Sequence, residues 1–112
     1  MKVVIDPAIE KRPEYLDGVQ KANDYLRSLL GDLQDTVEVN WSLPPDQPGS
    51  TLLELRSLDD APGKAEAIIP FELLQSYDRR IYRVGDVMSR LLKQRTKHRL
   101  RELREMAADL KD

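Results

Sequence analysis

Val37-Glu38-Val39-Asn40-Trp41-Ser42-Leu43 alternates apolar and polar residues, and Pro44-Pro45-Asp46-Gln47-Pro48-Gly49 follows at once. A period of two belongs to a strand with one dry and one wet face, because successive side chains leave a pleated backbone on opposite sides. The prolines after it exclude a helix and make a turn. Beyond the turn, Thr51, Leu53, Leu55 and Ser57 alternate with Leu52, Glu54, Arg56 and Leu58, until Asp59-Asp60-Ala61-Pro62-Gly63 reverses the chain again. Ala65, Ala67 and Ile69 then alternate with Glu66 and Ile68, and Pro70 stops the run. Loops this short cannot make parallel crossovers, so the three strands form an antiparallel meander.

Upstream, Lys2–Ile5 is a β-branched run ended by Asp6-Pro7, an edge strand if it joins the sheet. Pro13 and Glu14 suit the first turn of a helix. From there Tyr15, Val19, Ala22, Leu26, Leu29 and Leu33 step by threes and fours, with Leu16 and Leu30 widening the stripe, so an amphipathic helix ends near Gly31–Leu33.

Downstream of Pro70 the period lengthens to that of a helix. Phe71-Glu72-Leu73-Leu74 opens one helical turn, and Asp78 suits an N-cap. Ile81, Val84, Met88, Leu91 and Leu92 then share a face, and no Pro or Gly breaks the chain after Gly85. The apolar stripe lapses at Arg95, Thr96 and Arg99, then resumes at Leu103, Met106, Ala107 and Leu110, with Leu100 at its edge. One helix over Arg79–Leu110 would run ~48 Å, where a globule of about this size has a radius of gyration of only ~13 Å.

The expected architecture is therefore α+β: a three-stranded antiparallel meander, four-stranded if Lys2–Ile5 joins it, packed by an N-terminal helix and a long C-terminal helix in the order (β)αβββα. Residues 1–92 form the body, and 93–112 a basic, then amphipathic, helical extension. Its expected core is Leu16, Val19, Leu26, Leu29, Leu30, Val37, Val39, Trp41, Leu53, Leu55, Ala67, Ile69, Ile81, Val84, Met88 and Leu92.

With 112 residues the chain suits one domain, and a two-domain enzyme with an interdomain cleft is ruled out. Its net charge of −2 hides a split. Residues 1–78 hold 7 basic and 15 acidic side chains, a net of −8, whereas 79–104 hold 10 basic and 2 acidic, a net of +8. Without Cys, disulfides, thiolate metal sites and thiol nucleophiles are impossible. No apolar run approaches the roughly 20 residues of a membrane span, and Asp6-Pro7 interrupts any signal-peptide core, so a cytoplasmic protein without membrane contact is expected.

Catalysis finds little support. His98 is the only imidazole and lies between Lys97 and Arg99; no Ser, Thr or Cys has an evident base, and no Gly-rich phosphate loop precedes a helix. Asp59-Asp60 and Asp32/Asp35 lack the alternating acidic spacing of a calcium loop. Neither enzyme activity, cofactor, metal nor small-molecule substrate is expected. Trp41 falls on the dry phase of its strand and reads as core.

Two functional candidates remain on the last helix. Leu100, Leu103, Met106 and Leu110 could contact a protein partner or a second copy of the chain. Arg90, Lys93, Arg95, Lys97, Arg99 and Arg101, with Arg104 beyond them, could bind nucleic-acid phosphates, each contact adding affinity and salt dependence. A body of net −8 would oppose phosphate, so the leading expectation is a non-enzymatic interaction module, with nucleic acid second. The element order, and the stretch Leu92-Lys93-Gln94-Arg95-Thr96-Lys97-His98-Arg99, resemble the ribosome hibernation factors, small βαβββα domains that bind the small ribosomal subunit near the decoding region and block translation. That resemblance implies rRNA phosphate contacts for Lys93, Arg95, Lys97 and Arg99. Helix one lacks that family's basic excess, and the wet face of the sheet carries Glu38, Glu54 and Glu66.

Overall fold

A computed structural model describes residues 1–110. The elements are β1 (Lys2–Ile5), α1 (Pro7–Glu10), α2 (Pro13–Leu30), a 3₁₀ segment (Gly31–Thr36), β2 (Val37–Ser42), β3 (Ser50–Ser57), β4 (Lys64–Pro70), α3 (Phe71–Leu74) and α4 (Tyr77–Leu110). The expected α+β order holds, and the sheet has four strands in the order β1-β2-β3-β4. The meander is antiparallel as expected, with Trp41 opposite Leu53 and Leu53 opposite Ala67.

β1 corrects the all-antiparallel expectation. It runs parallel to β2, placing Val3 beside Val39 and Ile5 beside Trp41. The cause is the connection: a parallel neighbour needs a crossover of a dozen or more residues, and α1 with the 18-residue α2 supplies it. α1 itself was hidden because Asp6-Pro7 reads as a strand stop. Here the pair starts a helix, with the Ala8 N–H donating to Asp6 Oδ1 at 2.8 Å and Pro7 in the first turn.

Helices from α2 and α4 close one face of the sheet. Val19, Ala22, Leu26 and Leu30 of α2 meet Val84, Val87, Met88 and Leu91 of α4 over Val39, Trp41, Leu53 and Leu55, all buried. The Trp41 indole N–H donates to Asn23 Oδ1 at 2.8 Å, so the largest core side chain is also satisfied. Of the expected core, Leu16, Ala67, Ile81 and Leu92 are only half-buried, and Leu29 is exposed. The short helices take their place: Ile9 of α1 and Phe71 and Leu74 of α3 are buried. The wet face of β2 is also drier than its pattern suggests. Glu38 is buried, held by the Arg56 guanidinium across the strands at 2.6 Å, which keeps its carboxyl below the usual carboxylate range.

Gly31 ends α2 with a positive φ of 52°, a conformation that favours glycine. At the other end, α4 continues for 34 residues and gives the molecule extents of 60 × 26 × 20 Å. Its last buried residue is Arg95, and only His98 and Glu102 beyond it are half-buried. Lys111 and Asp112, the end of the expected extension, lie outside the described residues.

Candidate interaction surface on the last helix

Contacts divide α4 into sides with different chemistry. One side clamps the β3–β4 turn. Arg95 donates from Nη1 and Nη2 to the two carboxylate oxygens of Asp59, each at 2.7 Å, and from Nη1 to Ser57 Oγ. The Ser57 hydroxyl and the Ala61 N–H donate to the same carboxylate, at 2.9 and 3.1 Å. The Arg95 hydrogen bonds above all hold the Asp59 carboxyl far below the usual carboxylate range. One turn further, Arg99 reaches Asp60 at 3.0 Å and Glu102 at 3.3 Å. Gly63 permits this close approach, because a Cβ there would lie 2.9 Å from Leu91 Cδ1.

These contacts correct the placement of two candidate phosphate ligands. Arg95 is 8% exposed and its fork is filled by Asp59, while Arg99 spends its guanidinium on Asp60 and Glu102. A bidentate pair with low exposure is a poor donor to an incoming phosphate, since the existing partner must first be displaced.

A second side seals the sheet. Arg83, Arg90 and Gln94 donate to the edge carbonyls of Ile68, Glu66 and Lys64 at 3.0, 3.1 and 2.9 Å, and Gln94 Oε1 accepts from the Lys64 N–H at 2.8 Å. An open strand edge invites another strand, and α4 closes this one. Arg90 also pairs with Asp86 at 3.3 Å, so it serves the fold before any ligand.

With Arg95 buried and Arg99 paired on the surface, the remaining cations fall into line. Lys93, Lys97, Arg101 and Arg104 are exposed, form no ion pair with any described residue, and with Arg90 lie within a sector of roughly 80° at about 3.6 residues per turn. Their sorting depends on the acidic turn, which captures Arg95 and Arg99.

The third side is apolar. Leu100, Leu103, Met106 and Leu110 are exposed by 48, 60, 60 and 86%, all beyond the body. On the same side, nearer the body, a groove of about 540 Å³ is lined by Leu29 of α2 and by Gly85, Met88, Ser89, Leu92, Lys93, Thr96 and Lys97 of α4. Sequence reading missed this groove because it placed Leu29 in the core. The available signal was the small pair Gly85 and Ser89 on a stripe otherwise made of Leu and Met.

Among the described residues, no group of three His, Cys, Asp or Glu side chains could hold a metal ion, and no helix is long and apolar enough to cross a membrane. His98 contacts Glu102 at 2.9 Å on the helix surface. Comparison with protein families, with curated proteins and with solved structures returns no match. The likeness to the hibernation factors therefore rests on the order of elements and on Leu92–Arg99.

Proposed function

We propose that this protein is a non-enzymatic interaction module of the cytoplasm, docking a protein partner or a second copy of itself through Leu100, Leu103, Met106 and Leu110. The observation that supports this reading is a helix that outlasts its own body while still presenting apolar side chains to water. A contiguous exposed apolar surface rimmed by charge is the usual mark of a docking site, whereas single exposed apolar residues are ordinary. The test is a photo-cross-linking side chain at Leu103, compared with one at Lys97 about a third of a turn away, in cells that make the protein. Adducts to protein at Leu103, from the same chain or another, that vanish in a Met106→Glu background are the expected result. No protein adduct at Leu103 would overturn the reading.

The line of cations supports a second reading, in which Lys93, Lys97, Arg101 and Arg104 bind RNA phosphates; of these, the ribosomal resemblance implies such contacts for Lys93 and Lys97. Binding should then weaken steeply with salt, and K97E with R101E should reduce both affinity and the salt slope. Salt-independent or absent RNA binding would remove it.

A further inference from the structure

We propose that the occupant of the α4 groove is a second copy of the chain, its α4 running antiparallel and seating Leu103, Met106 and Leu110 against Leu92, Ser89 and Gly85. This deepens the reading above and rests on it. The two apolar regions of α4 complement each other in size. The body-proximal stretch offers Gly85, Ser89 and Leu92, and the distal stretch offers Leu110, Met106 and Leu103 in reverse order. A two-fold axis between Lys97 and His98 places Gly85 opposite Leu110, Ser89 opposite Met106 and Leu92 opposite Leu103. Each large side chain beyond the body thus meets a small one or a leucine within the groove.

Such an interface is isologous, so every contact is made twice and the pairing closes at two copies. It would run from Gly85 to Leu110 and back, about 37 Å at 1.5 Å per residue. At its centre Thr96 meets Arg99, whose guanidinium stays on Asp60 and Glu102, and a polar position there can fix register. Leu29, at 43% exposed, forms the far wall of the groove and would be covered by the incoming helix.

Area and charge both favour a second copy over an unrelated helix. Leu29, Leu100, Leu103, Met106 and Leu110 are between 43 and 86% exposed. Together they present on the order of 500 Å² per copy, and the groove walls bring this to roughly 600 Å² per partner, the lower end of stable interfaces. In this register the segment laid in the partner's groove is 103–110, whose one basic and two acidic residues give a net of −1, against a groove lined also by Lys93 and Lys97.

The absence of native cysteine makes the register directly measurable. Two single variants, Ser89→Cys and Met106→Cys, are mixed, allowed to exchange and treated with a bismaleimide of ~8 Å span, the axial spacing of packed helices. The mixture should give a cross-linked dimer. Neither variant alone should, because its two cysteines would lie about 25 Å apart along the seam at 1.5 Å per residue. A third variant, Leu103→Glu with Met106→Glu, changes only exposed residues. Its circular dichroism should be unaltered, while its dimer dissociation constant rises at least ~100-fold, since the carboxylates would be buried without partners.

Equal cross-linking of each variant with itself, or a mixture that yields no dimer, would overturn the proposal. A monomeric chain whose Leu103 photo-adducts are all foreign would remove the second copy and leave the docking reading standing. No protein adduct at Leu103 together with no dimer would remove both.

Discussion

Arg95 and Asp59, 36 residues apart in sequence, are joined by two hydrogen bonds of 2.7 Å each. This pair fixes the β3–β4 turn to α4 where the body ends, and so sets the point from which the helix projects. Arg95 is nearly buried, and the Asp59 side chain keeps only 26% of its exposure. Removing one member of such a pair leaves the other's charge poorly solvated. Arg95→Ala should lower unfolding stability by about 2 kcal/mol, less than the cost for a fully buried pair because water still reaches Asp59. Urea denaturation checks this, and an unchanged midpoint would show that the pair contributes nothing to the fold.

The same pair predicts a pH dependence. Asp59 is depressed by the Arg95 hydrogen bonds, and Asp60, Glu38 and Glu14 are lowered by Arg99, Arg56 and their own local hydrogen bonds. A carboxyl whose folded value lies below its unfolded value contributes stability in full above the unfolded value, near 4. That contribution disappears as pH falls toward the folded value. The urea midpoint should therefore drop as pH falls below about 4, and Asp59→Asn should make the drop shallower. An Asp59→Asn profile parallel to the parent's would contradict the assignment.

Gly18 lies where α2 touches α3, and a Cβ there would come within 2.9 Å of Leu74 Cβ. Alanine is the better helix former by up to ~1 kcal/mol, yet overpacking against a buried neighbour costs roughly 1–3 kcal/mol. Leu74 is fully buried and cannot swing away. Gly18→Ala should therefore destabilise the protein, and a raised melting temperature would show that α3 yields freely.

Trp41 and Asn23 meet in the core through one hydrogen bond of 2.8 Å. Asn23→Ala would leave the indole N–H without its partner, at about 1–3 kcal/mol. A thermal melt checks the loss, with tryptophan fluorescence reporting whether the indole stays buried. A neutral result would mean that another acceptor takes the proton.

Much of this fold is legible in the sequence because periodicity is local. The alternation from Val37 to Ile69 and the helical stripe from Tyr15 to Leu30 each state their own element. The direction of β1 is not local: Lys2–Ile5 pairs parallel to β2 only because α1 and α2 carry the chain back across the sheet. The surface shows the same division. Leu100, Leu103, Met106 and Leu110 stand out on a helix too long for its body, and they are exposed as their spacing suggests. Arg95 and Lys97 look alike in sequence, but one is captured by Asp59 and the other faces water, because only the folded β3–β4 turn distinguishes them. Leu29 likewise sits on the apolar stripe of α2, but at its rim, where it becomes the wall of a groove.

The most direct test of α4 as a self-docking surface is the mass of the full chain in solution across a wide concentration range, by sedimentation equilibrium. The account predicts a rise from 12.9 kDa toward twice that value as concentration increases. Leu103→Glu with Met106→Glu should remain at the single-chain mass throughout. A parent chain that stays at 12.9 kDa at every concentration, indistinguishable from the variant, would contradict it.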